Sequence, residues 1–184
     1  DFGIIGIAYV FWSFFSLFIQ DTAGAFIIYK GIEHPKYVNT AYTISLLVGL
    51  ALAFFVIATS PFIANFFKEP ALTWILIAFA FNLILSSAGY VYSIVMTRLR
   101  KYRGIANITL ANSITRLLCT TGAAFLGFSY WSFVIGDTVS WIVHCILARY
   151  YSGYKFRLQI DAEVKSEVQS FYFGTVASSF GLYT

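Results

Sequence analysis

Charged side chains are what this sequence has least of. Asp, Glu, Lys and Arg make up 11% of its 184 residues, where a soluble domain carries about 25%. Hydrophobic residues account for 59%, and the mean hydropathy is +0.77. No soluble core of this length absorbs that much apolar material, so folding in water is excluded. Cysteine is nearly missing too. Cys119 and Cys145 both fall inside long apolar runs, which rules out a disulfide framework and a Cys-rich metal site. The histidines, His34 and His144, form no pair at metal spacing, and no glycine-rich phosphate loop follows a strand. Neither a metal nor a cofactor is expected, and no residues make a catalytic constellation. There is no basic leader and no small-residue cleavage site. Asp1 runs straight into apolar sequence, so the chain reads as an internal piece of a longer protein.

What is present is a series of apolar segments: Phe2 to Tyr29, Asn39 to Phe66, Ala71 to Met96, Ile105 to Leu126 and Tyr130 to Tyr150, with a sixth beginning at Phe171 and running to Thr184. Each exceeds the ~10 residues of a barrel strand and lacks period-two alternation. The expected fold is therefore all-α, a polytopic membrane bundle of five transmembrane helices plus the start of a sixth. Residues 1–150 are expected to form a transmembrane lobe. Residues 151–170 form a linker whose DAEVKSEVQSF stretch has an amphipathic helical pattern, and residues 171–184 open the next span.

The segment Ile105 to Leu126 organises the rest, because it is long enough to cross a bilayer yet holds Arg116 near its middle. A central Arg there costs from ~3 to well over 10 kcal/mol unless it faces protein or water. Thr109, Asn112, Ser113, Arg116 and Thr120 recur every three or four residues and share one helical face. The other segments carry stripes of their own: Ser13, Ser16, Gln20 and Gly24 in the first; Ser45, Gly49 and Ala53 in the second; Asn82, Ser86, Gly89 and Ser93 in the third; Asp137, Ser140 and His144 in the fifth. Such stripes suit ordinary helix packing, but with Arg116 and Asp137 among them they are expected to converge on a hydrated cavity. Its lining is expected to include Arg116, Asn112, Thr109, Thr120, Asp137, Ser140, Asn82, Ser86 and Gln20. Counting helix rise from the Gly127–Ser129 turn puts Arg116 and Asp137 within ~5 Å of the same depth, so they can pair. Asp137 and Asp21 are the candidates for an ion pair or a coupling site.

Orientation follows from the loops. Ten of the twelve basic residues fall on one side: Lys30, Lys36, Arg98, Arg100, Lys101, Arg103, Arg149, Lys155, Arg157 and Lys165. The other side has only Lys68. The positive-inside rule makes the basic side cytoplasmic. The run RLRKYR, Arg98 to Arg103, is then a short cytoplasmic loop beside anionic lipid heads rather than a nucleic-acid patch. The opposite loops, Phe67 to Pro70 and Gly127 to Ser129, leave no room for an external enzyme site.

Several stretches in this order resemble the polysaccharide transporter family, the lipid-linked oligosaccharide flippases of a superfamily that also holds multidrug exporters. They are DFGIIGIA at the start, AFIIYKGIEHPKYVNTAY (Ala25 to Tyr42), FFKEPAL (Phe66 to Leu72), RLRKYRGIA (Arg98 to Ala106), GFSYWSFVIGD (Gly127 to Asp137) and SFYFG (Ser170 to Gly174). One departure is QDTAG, Gln20 to Gly24, where the family has an acidic residue followed by Leu-Gly. The resemblance implies the N-terminal half, without its first helix, of a two-lobe transporter of twelve to fourteen helices around a central cavity. It implies export of an undecaprenyl-diphosphate-linked sugar repeat from the cytoplasmic to the outer leaflet of a bacterial inner membrane. Polysaccharide polymerase and chain-length machinery are the implied partners, beside membrane lipid and with no nucleic acid. A cation-coupled drug exporter would show a dominant acidic site, and a membrane enzyme of polysaccharide assembly would show a large outer loop or a His pair.

Overall fold

A computed structural model describes residues 2–181; the side chains at 2, 20–23, 25 and 172–181 lie outside that description. Among the described residues there are six helices and no strand: α1 Phe2–Lys30, α2 Pro35–Phe67, α3 Ala71–Arg98, α4 Tyr102–Phe125, α5 Trp131–Ser152 and α6 Ala162–Gly181. The protein is an all-α polytopic membrane protein. Among the described residues α2, α3 and α5 are long and apolar enough to cross a bilayer, and Gly3–Ile19 of α1 forms a shorter apolar stretch. α4 has 24 residues, about 36 Å of helix. The polar residues around Arg116 keep it out of the apolar group.

The helix ends have local causes. Pro35 opens α2, where its missing N–H costs nothing, after an extended His34. At the other end of α4, Gly127 adopts φ +85° while its N–H donates to the Ala124 carbonyl and the Phe128 N–H donates to that of Ala123. That paired closure turns the chain back into α5 within a few residues. The same closure ends α2 at Lys68 (φ 57°) and α3 at Arg100 (φ 56°).

α3 is the central helix and packs on α1, α2 and α5, while α4 lies along α5 on the far side. Half of α3's apolar span is buried, against 22% for α2 and 33% for α5. The Ser45–Gly49–Ala53 ladder of α2 is where α3 comes closest. A Cβ at Gly49 would strike the Ser87 side chain, and the Ser45 hydroxyl points at the Ser87 carbonyl at 3.4 Å. Among the described residues a small apolar cluster of Tyr92, Met96, Ile108 and Ala148 joins α3, α4 and α5, and two larger ones fill the rest of the bundle. One, away from the basic loops, joins Ile5, Phe15, Val56, Leu72, Phe79 and Val134. The other, at the basic end, joins Phe26, Ile27, Val38, Val91, Val95, Val164 and Val168.

Residues 154–161 run as an extended strap, and the amphipathic sequence continues without a break into the segment expected to follow it. Asp161 explains where α6 starts, since its carboxylate accepts from the N–H groups of Glu163 and Val164. Nothing in the next residues breaks the helix. Val164 and Val168 then bury against α1 and α2, and the Lys30 ammonium meets Glu167 at 2.9 Å.

Candidate functional site

α4 and α5 approach closely because α5 has no side chain at Gly136. A Cβ there would collide with the Thr120 hydroxyl and press on the Arg116 carbonyl. The next residue, Asp137, therefore stands within short reach of Arg116, and the guanidinium Nε–H donates to Asp137 Oδ1 at 2.5 Å. Tyr9 of α1 closes the group. Its hydroxyl donates to Asp137 Oδ2 at 2.5 Å and accepts from an Arg116 Nη2–H at 2.9 Å. Two consecutive helices, α4 and α5, and the distant α1 thus meet in one triad. Asp137 is nearly buried, with 12% of its side chain exposed, while half of the Arg116 side chain stays open. Guanidinium and carboxylate cancel in charge, and two of the five N–H groups of Arg116 are used within the triad.

The triad borders a cavity of about 330 Å³. Its polar wall also includes Asn82, Asn112 and Ser140, and its aromatic wall is Tyr9, Trp12, Phe79 and Trp141. The rings hold one another: Phe79 lies 5.3 Å from Tyr9 and 5.9 Å from Trp12, and Trp12 lies 6.1 Å from Trp141, between ring centroids. Ser140 turns its hydroxyl back on the Asp137 carbonyl. Asn82 has neither amide atom hydrogen-bonded, and Asn112 has an unbonded, buried carbonyl oxygen.

Arg116, Asn112, Asp137, Ser140 and Asn82, all expected in the lining, are brought together here. Thr109, Thr120 and Ser86, expected with them, are not on its wall. Thr109 shares Arg116's face but lies seven residues, about 10 Å, down the axis, and its exposed hydroxyl donates to the Ile105 carbonyl. Thr120 is taken up by the α4–α5 contact at Gly136. Ser86 is one turn beyond Asn82 and donates to the Leu83 carbonyl. The side chains of Gln20 and Asp21 lie outside the described residues. His144 faces Ser93, with its Nε2 3.2 Å from that hydroxyl.

Tyr9, Trp12, Phe79 and Trp141 were not singled out from the sequence. Tyr9 alone carried a signal, as the hydroxyl between Ile7 and Val10 in an apolar run. The polar stripe of α1 points instead to its serines, yet Ser13 is exposed and the Ser16 hydroxyl donates back to the Ser13 carbonyl.

At the basic end, a second cavity of about 540 Å³ opens beside Arg100, Lys101 and Arg103. Lys101 reaches across to donate to the Tyr151 and Ser152 carbonyls, which close α5.

A family model described as "Polysaccharide biosynthesis protein" matches residues 1–184. No curated protein and no solved structure matches the chain.

Proposed function

This chain belongs to the polysaccharide biosynthesis protein family, and we propose that it serves there as one lobe of a flippase. Its substrate is a polyprenyl-diphosphate-linked oligosaccharide, moved from the cytoplasmic to the outer leaflet of a bacterial inner membrane. Residues 1–150 form the lobe, 151–170 the connection to the second lobe, and 171–184 the start of that lobe's first helix.

The observation that carries this reading is the Tyr9–Arg116–Asp137 triad beside a polar and aromatic cavity in an otherwise apolar bundle. A hydrated headgroup crosses a bilayer only where side chains replace its water, and intramembrane ionisable groups mark such paths. Arg116 suits a phosphate. Its fork matches phosphate oxygens in pairs, half of its side chain is open, and three of its five N–H groups stay outside the triad. Asp137 and Tyr9 hold the fork in one orientation, so less side-chain entropy is lost when a ligand arrives.

Transport is favoured over catalysis because the one carboxylate in the cavity wall is committed to Arg116 and Tyr9. The same commitment disfavours a cation-coupled drug exporter, which calls for an acid offered to the ion.

The test uses the full-length transporter. Arg116→Ala is expected to abolish surface polysaccharide, a larger loss than the folded protein lost on stranding Asp137 accounts for, and Arg116→Lys to retain part of it, because the charge survives and the fork does not. Export per amount of folded transporter is the quantity to measure. An unchanged ratio in the Ala variant would overturn the phosphate-binding role.

A further inference from the structure

Asn82 stands in an apolar stretch of α3, AFAFNLIL, and is 1% exposed, yet neither Nδ2 nor Oδ1 finds a partner. An unpaired buried amide is destabilising, a cost that Leu at the same position would avoid. Asn112, across the cavity on α4, leaves its carbonyl oxygen unbonded in the same space. These groups make chemical demands on whatever fills the cavity. A cation would satisfy the oxygens and leave Nδ2 of Asn82 bare. A phosphate has only acceptors to offer, so both carbonyl oxygens would stay unbonded, and it would approach the Asp137 carboxylate. A hydroxyl both donates and accepts, and a ring bearing several hydroxyls can serve both amides at once.

The remaining walls agree with that. Trp12, Trp141 and Phe79 line the cavity beside the amides, the mixture of ring surface and few polar groups that fixes a small organic ligand. Charge complementarity points the same way, because Arg116 and Asp137 cancel and the cavity prefers a neutral guest. Its size, about 330 Å³, sits at the small end of ligand cavities, which run from ~300 to ~1,000 Å³.

From this we infer that the cavity is a saccharide subsite for one neutral sugar residue, held by the amides of Asn82 and Asn112 and packed against the Trp12–Trp141 pair. The inference rests on the flippase reading and deepens it. The sugar enters the cavity, and the diphosphate stays on the open side of Arg116.

The test compares probes on the full-length transporter in nanodiscs. Farnesyl diphosphate is the sugar-free probe; the others are farnesyl diphosphate carrying glucose, galactose or N-acetylglucosamine. At least one sugar-bearing probe is expected to bind about tenfold more tightly than the sugar-free one. Asn82→Leu should bring it down to the sugar-free affinity while the variant melts no lower than the parent, since an unsatisfied amide has been removed. If all sugar-bearing probes bind no better than farnesyl diphosphate, the cavity holds water only and the subsite is overturned, while the flippase reading stands. A lowered melting temperature in Asn82→Leu, with sugar-bearing and sugar-free probes weakened equally, makes Asn82 structural and also overturns it. If no probe binds, the flippase reading fails, and the subsite with it.

Discussion

The hydroxyl of Tyr9 is the only oxygen α1 contributes to the triad, and it works in both directions, donating to Asp137 and accepting from Arg116. Tyr9→Phe keeps the ring against Phe79 and deletes that one atom. It is expected to cost about 1–2 kcal/mol, because the Asp137 carboxylate loses a donor in a water-poor site. Asp137→Asn is the harsher change. It leaves Arg116 uncompensated at a cost of up to about 3 kcal/mol, the low end for a buried pair because the Arg116 side chain is half exposed. Replacing Arg116 by Gln as well should recover much of that loss. Unfolding in mixed detergent micelles measures all four proteins. Losses that add within about 0.5 kcal/mol would show that the pair is not coupled.

Among the elements, the α4–α5 seam sets where the triad stands. Gly136→Ala places a methyl on Thr120 and the Arg116 carbonyl, which must push the helices apart at a cost of about 1–3 kcal/mol. Thr120→Ala in the same chain should return only part of it, since the carbonyl stays in the way. A full return would mean that the backbones are not in close approach. The strap of residues 154–161 is a second element with a defined task. The N–H groups of Arg157, Gln159 and Asp161 donate to the side chains of Asn39, Thr43 and Thr40 on α2, and Phe156 stacks on Tyr42 at 4.2 Å. Every second amide is thus tied to one helix. Asn39→Ala is expected to remove about 1 kcal/mol of local protection, seen as roughly fivefold faster hydrogen exchange at Arg157. Unchanged exchange would show that the bond contributes nothing. The neighbouring Lys30–Glu167 pair is a weaker tether. The hydrogen bond that the Lys30 ammonium donates to Glu167 raises its pKa above the usual value, so on rising pH the pair persists through neutrality and is lost in strong alkali.

At the scale of the whole molecule, two outer helices expose apolar side chains to the surroundings. These are Leu50, Phe54 and Phe62 on α2, and Leu110, Leu117 and Leu118 on α4. A surface of that kind is what lipid covers. The basic residues collect at one end, and cysteines placed at the exposed positions Lys36, Arg100 and Lys155 test the proposed orientation. In a background without Cys119 and Cys145, a membrane-impermeant thiol reagent should label them only after the cells are opened, and should label a cysteine at Lys68 in intact cells. Labelling of any of the first three in intact cells would reverse the assignment.

The helices were legible because length, hydropathy and rise per residue belong to each segment alone. The depth match of Arg116 and Asp137 was legible for the same reason, since both are counted from one short turn. The third partner was not. In a chain where 20% of residues are aromatic, nothing local separates Tyr9, Trp12 and Trp141 from aromatics that face lipid. Shared face also proved weaker than shared depth, as Thr109 and Ser86 show by lying a turn or more from the cavity their stripes pointed toward.

By itself the sequence determined an all-helical membrane chain with a charge pair at one level of the bundle, because burial of apolar surface and the spacing of a helix are set within each segment. Which polar atoms found partners was decided only by the tertiary structure. Hydrogen bonds between helices depend on rotation about each axis and on separations of tenths of an ångström, and one residue along a helix turns its side chain by about 100°. That is why Ser140 turned back to its own helix, Tyr9 joined a triad, and Asn82 was left unpaired facing a cavity.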